Sequence, residues 1–205
     1  MTTRQTTEDY ICEKLLELME TKPFHRIKVI DLVNYAKIGR STFYLYFDSL
    51  YDVLQMIEDN YMEGLRYNKG SDSTTIKFLH DREDASNTES QTMIRDDLTY
   101  IQKNLNIIRI LSSENGDPYF TTRLTMRNRK IVYDLLTQAK VQVSDGEKKL
   151  LSTFWAGGLW QTVVAWANDE KNISAEDFTK VTRYYLKIFN RMLETGQVAV
   201  PTFSL

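Results

Sequence analysis

The chain has 205 residues, enough for one large domain or a small domain joined to a larger one. Three prolines and eight glycines are too few for the many turns of a sandwich or barrel, so an all-α fold is expected. The net charge of −2 supplies no bulk positive field, so any nucleic-acid surface has to be a local patch.

Thr6-Thr7-Glu8-Asp9 reads as a helix cap, and Ile11, Leu15, Leu18 and Met19 recur at helical spacing until Lys22-Pro23 stops the run. Cys12 is the one cysteine, which excludes an intrachain disulfide and fits a reducing compartment. Between Ile11 and Leu15 it reads as a buried apolar thiol rather than a redox or ligand group. A second short helix fits Val29, Leu32, Val33 and Ala36, with Asp31 in its first turn.

The stretch "GRSTFYLYFDS" (39–49) is β-prone by propensity, yet the chain offers no other convincing strand to pair with it. As a helix it places Phe43 and Phe47 on one face, and Arg40 and Tyr44 on another with Ser41 beside them. The aromatic helix penalty is at most about 0.7 kcal/mol per residue, while burial of each phenylalanine returns about 1.5–3 kcal/mol. A helix is therefore expected. Two short helices joined by Lys37-Ile38-Gly39 have helix-turn-helix geometry, whose second helix enters the major groove. Phe43 and Phe47 anchor that helix, and the hydroxyls of Tyr44 and Tyr46 can reach phosphates. Lys22, Arg26, Lys28, Lys37 and Arg40 stand against Asp31 alone, five cations to one anion, a local net of +4.

Ser49 with Asp52 resembles a capping box for a long helix through Val53, Leu54, Ile57 and Tyr61. Residues 68–91 read as a mobile acidic loop, with one helical turn around Ile76 to Leu79. Helical patterning resumes at Met93 and runs to Leu111, and Asn115-Gly116-Asp117-Pro118 breaks it. A further helix carries Leu124, Ile131, Leu135 and Leu136. Residues 147–167 are apolar on nearly all sides, and a last helix carries Phe178, Val181, Tyr185, Ile188, Phe189 and Met192. Trp155, Trp160 and Trp166 either line a ligand cavity or fill the bundle, with filling favoured.

"VIDLVNYAKIGRSTFYLYFDSLYDVL" (29–54) resembles the DNA-binding domain of the tetracycline-repressor (TetR) family. "NGDPYF" (115–120) and "FWAGGLWQTVVAWAND" (154–169) are similar to a subgroup that includes regulators related to dihydroxyacetone kinase activators. The resemblance implies an all-helical homodimer, with a three-helix DNA-binding head at residues 1–47 and a regulatory, dimerising bundle at 48–205. By matched position, Lys28, Lys37, Gly39, Arg40, Ser41, Thr42, Tyr44 and Tyr46 are the implied DNA contacts. Arg40 is the base reader, since a guanidinium pairs bidentately with guanine. Many relatives carry Ser or Thr where this chain has Lys28 and Gly39, and lysines where it has Asp48 and Leu50.

The two apolar C-terminal helices are the expected dimer interface, through Phe154, Gly157, Gly158, Gln161, Tyr185, Phe189 and Met192, with the glycine pair allowing close approach. His25 and His80 are the only histidines, and no zinc set, nucleophile elbow, P-loop or dinucleotide fingerprint accompanies them. No cofactor or catalysis is expected. No apolar run reaches membrane-span length and the N-terminus lacks a signal-peptide core, so the expected location is cytoplasmic. The functional expectation is a repressor that binds a palindromic double-stranded operator as a homodimer and answers to an unidentified small-molecule effector. The alternative is a helical co-activator that acts through a protein partner.

Overall fold

A computed structural model describes residues 6–64, 98–169 and 171–198, and every regular element among them is helical. The acidic loop at 68–91 and its suggested turn lie outside the described residues. The contacts divide the chain into two compact units: residues 1–65 with 104–120, and residues 66–103 with 121–205.

The first unit holds α1 (Thr7–Met19), α2 (Val29–Tyr35), α3 (Arg40–Tyr44), α4 (Leu50–Gly64) and α5 (Leu105–Leu111). Its helices start where short polar side chains can satisfy free backbone donors. Thr6 and Asp9 form a reciprocal capping box on α1, at 3.1 and 3.2 Å. Ser49 and Asp52 do the same for α4, with Asp52 accepting from the Ser49 amide at 2.7 Å. α1 packs against α2, α4 and α5, and α2 packs against α3. Ile11, Leu15, Met19, Leu32, Phe43 and Val53 are completely enclosed, so the head has a true core despite its size. The Tyr10 hydroxyl donates to the Ala36 carbonyl at 3.1 Å, tying α1 to the end of α2. Cys12 is buried, with its sulfur 3.9 Å from the Val53 carbonyl. Burial, then the charges of Asp9 and Glu8, push the thiol up to about 12, so it stays protonated and unreactive.

The break at Asn115–Pro118 also straps this unit together. The Phe24 amide donates to the Asn115 carbonyl at 2.8 Å, and Asn115 Nδ2 donates to the Glu20 carbonyl at 3.3 Å. A Cβ at Gly116 would stand 2.2 Å from the Leu111 carbonyl oxygen and 2.5 Å from that of Ile110, so only glycine fits.

The second unit is built on α6 (Phe120–Gln138), α7 (Asp145–Asn168) and α8 (Ala175–Thr195), Phe120 itself being grouped with the first. Residues 98–103 are also helical. Val132, Leu135, Leu136, Val141, Phe189 and Met192 form the core of the described helices. Ser144 and Glu147 make a full capping box on α7, and Ser174 caps α8. Gly196 ends α8 in the left-handed region at φ 66°, and its carbonyl accepts from the Gln142 amide at 2.8 Å. Trp166 stacks on Phe178 at 4.1 Å and donates to the Ile173 carbonyl at 3.1 Å. Trp160 is buried as well. Among the described residues, no helix is long and apolar enough to cross a membrane.

Candidate nucleic-acid interface

The turn between α2 and α3 decides how the cations are displayed. α2 closes in a Schellman motif: the Ile38 amide donates to the Val33 carbonyl at 3.0 Å and the Lys37 amide to that of Asn34 at 3.3 Å. Lys37 occupies the left-handed position, φ 54°, that glycine usually fills. Its side chain is exposed. Gly39 follows as the N-cap of α3, without a side-chain cap bond.

α3 then presents two faces, as the i, i+4 spacing requires. Phe43 and Phe47 are buried with ring centroids 6.0 Å apart. On the other face the Arg40 guanidinium lies 5.9 Å from the centroid of the Tyr44 ring, within reach of a cation–π contact. Ser41 is exposed beside it and Thr42 is half-buried. Tyr44 and Tyr46 are 48% and 43% exposed, and among the described residues neither hydroxyl has a partner. Tyr35 differs, since its hydroxyl is already given to Glu17 at 3.0 Å. α3 ends at Tyr44, so Tyr46 sits in the turn after the helix rather than on its face.

Lys28 is the exposed N-cap of α2, where a lysine side chain cannot accept a backbone proton. Asp31 supplies the half of the box that remains possible, accepting from the Lys28 amide at 2.9 Å and from Lys22 Nζ at 2.7 Å. The hydrogen bond from Lys22, then that from Lys28, hold the Asp31 carboxyl below its usual value. One cation of the patch is thus spent on a structural ion pair, and among the described residues Arg26, Lys28, Lys37 and Arg40 carry none. Asp48 is exposed, close in sequence to Tyr46.

Sequence reasoning passed over Leu45, which is 79% exposed between the two tyrosines. The signal was present: with Phe43 and Phe47 inward, the residue between them has to point out.

The expected interface residues of the second unit divide. Phe154 is 69% exposed, and Gly158, Gln161 and Tyr185 are exposed too, with Gly157 half-buried. Leu150, Val181, Tyr184 and Ile188 extend this apolar surface on α7 and α8. Phe189 and Met192 turn inward instead and belong to the core beside Leu135 and Leu136, because α8 has an apolar residue on more than one side. A Cβ built at Gly158 meets nothing within 4 Å, and one at Gly157 only the Thr125 methyl at 4.0 Å. No described helix of the chain therefore requires the glycine pair.

Comparison with known proteins bears on the family directly. Residues 88–188 match the TetR-type family model described as "Transcriptional regulator C-terminal region". A curated relative, the HTH-type dhaKLM operon transcriptional activator DhaS of Lactococcus lactis subsp. lactis (strain IL1403), is 23% identical over 155 residues, 75% of each chain. The chain is similar to TetR-type transcriptional regulators. A solved structure, the dihydroxyacetone kinase operon activator DhaS, has a similar fold at a TM-score of 0.59 and 20% identity, covering 92% of this chain and 97% of its own.

Lys37 offers a test that separates stability from DNA contact in the first unit. Glycine at this position removes a left-handed penalty of about 1 kcal/mol along with the charge. The Lys37→Gly head is expected to melt no lower than the parent, while the slope of log affinity against log salt falls by about 1 per half-site. Thermal unfolding and salt titration on one DNA duplex read the two effects independently.

Proposed function

We propose that the protein is a cytoplasmic regulator that binds double-stranded DNA as a homodimer, inserting α3 into the major groove of each half of a palindromic operator. The observation that carries this reading is the outer face of α3. Arg40 lies within cation–π reach of Tyr44, two tyrosine hydroxyls have no partner among the described residues, and the cations of Lys28, Lys37 and Arg40 are unpaired there. In this reading residues 1–47 make the DNA contacts and residues 48–205 dimerise and regulate. Arg40 reads a guanine, and Lys28, Lys37, Tyr44 and Tyr46 touch phosphates. Gly39, Ser41 and Thr42 bring the start of α3 close to the backbone, and Leu45 meets a base edge or thymine methyl.

The exposed apolar side chains of Phe154 and Tyr185, on the helices that carry Gly158 and Gln161, support the homodimer, since exposed apolar surface marks an interaction site. Regulation by a small effector completes the reading. The matched relatives are named activators, which favours activation over the repression expected from the sequence.

The test is titration of a bound duplex with two variants. Arg40→Ala is expected to cost about 1–3 kcal/mol at one base pair per half-site and to relax the preference there. Tyr44→Phe is expected to weaken all sequences alike. Identical base preferences for Arg40→Ala and the parent would remove Arg40 from base reading.

A further inference from the structure

Leu45 is the C-cap of α3 and is more exposed, at 79%, than any other large apolar side chain among the described residues. Its backbone is nevertheless fixed. The Leu45 amide donates to the Ser41 carbonyl at 3.1 Å and to that of Thr42 at 3.3 Å, continuing the helix pattern. The amides of Tyr46 and Phe47 both donate to the Phe43 carbonyl at 3.0 Å, so the turn that follows is tied to a completely enclosed residue. Leu45 is thus an apolar projection on a rigid mount.

At i, i+4 spacing Leu45 falls in the row of Ser41, next to the row of Arg40 and Tyr44, and all four are exposed. The serine one turn back is too short to cover it. α3 is only five residues long, so its C-cap stands about 7.5 Å along the helix axis from Arg40, at about 1.5 Å per residue. A groove that admits Arg40 to a base edge therefore holds Leu45 as well, about two base-pair steps away at about 3.4 Å each.

A leucine side chain can neither donate nor accept a hydrogen bond. Against a ring nitrogen, carbonyl or amino group of a base it would displace water and return no partner, which is costly. The apolar group that base pairs present in the major groove is the C5 methyl of thymine. We infer that Leu45 reads a C5-methyl pyrimidine in each half of the operator, a thymine about two base pairs from the guanine met by Arg40. This assignment depends on the DNA-reading role of α3 proposed above and adds to it the chemistry of a second base. A cytosine methylated at C5 carries the same methyl, so it satisfies Leu45 where plain cytosine does not.

The test uses the full-length protein and a duplex selected from a random pool, with each thymine replaced in turn by deoxyuridine, which removes only the methyl. One thymine per half-site should respond, affinity falling about 4-fold for each methyl taken away, as for one buried carbon group. Leu45→Ala should bind the thymine and deoxyuridine duplexes equally and melt with the parent, since it truncates an exposed side chain. At the same position 5-methylcytosine should bind the parent about 4-fold more tightly than cytosine, and Leu45→Ala should not distinguish them. Uniform tolerance of deoxyuridine by the parent, or a thymine preference that survives in Leu45→Ala, would overturn the assignment and leave DNA reading by α3 intact. Recovery of no specific duplex would instead overturn the DNA reading, and the assignment with it.

Discussion

Leucine at position 158 is expected to convert the proposed dimer to monomer and to lower operator affinity by about 100-fold or more, with α3 untouched. Among the described residues the substitution meets no obstacle, since a Cβ at Gly158 has no neighbour there within 4 Å. It also removes a helix-interior glycine, which costs about 1 kcal/mol relative to alanine. The monomer should therefore melt no lower than the parent subunit. Nothing among the described residues opposes the leucine, so the harm is expected from a neighbour outside them that lies close to α7. A partner helix packed on the surface of Leu150, Phe154, Tyr184 and Ile188 would be that neighbour, and a leucine wedged against it overpacks the contact. Loss of the second head then removes the avidity of two linked sites, about 10²–10⁴-fold. Sedimentation beside an operator titration reads both consequences. A fully dimeric variant with parental affinity would take Gly158 out of the interface.

Phe43→Ala should be as damaging by a different route. Phe43 is completely enclosed and in ring contact with Phe47 and Tyr44. Its truncation costs about 3–5 kcal/mol, a large share of what a small head can hold. α3 spans only Arg40–Tyr44, too short to persist without that anchor. DNA binding should vanish, and amide protection should collapse across residues 7–64. α7 and α8 should keep their protection, since Phe43 belongs to the other compact unit. Tyr44→Ala removes an exposed ring and should leave the same amides protected while weakening DNA. Parental protection in Phe43→Ala would show that α3 is held by something other than its aromatic face.

These outcomes also mark what the chain made readable. α1 and α4 were legible because caps and apolar spacing agree, α2 from its apolar spacing and Asp31, and α3 because pairing Phe43 with Phe47 outweighs β propensity. The α3 terminus was not, since aromatic spacing continues through Phe47 while the helix stops at Tyr44. The turn was read at Lys37-Ile38-Gly39, but not that the lysine, rather than the glycine two residues on, takes the left-handed position. Asn115 was legible as a helix breaker but not as a strap, because its partner Glu20 is 95 residues away in sequence. Phe189 and Met192 were assigned to the dimer face because one apolar stripe does not say whether it faces its own core or another chain.

The claim at the centre of the account is that two copies of α3 read DNA together. Selection of bound duplexes from a random pool, using the full-length protein at physiological salt, tests it most directly. The account predicts enrichment of an inverted repeat whose half-sites lie about one helical turn apart, 10–10.5 base pairs centre to centre. Enrichment of a lone half-site would contradict the dimer, and recovery of no sequence at all would contradict DNA reading by α3.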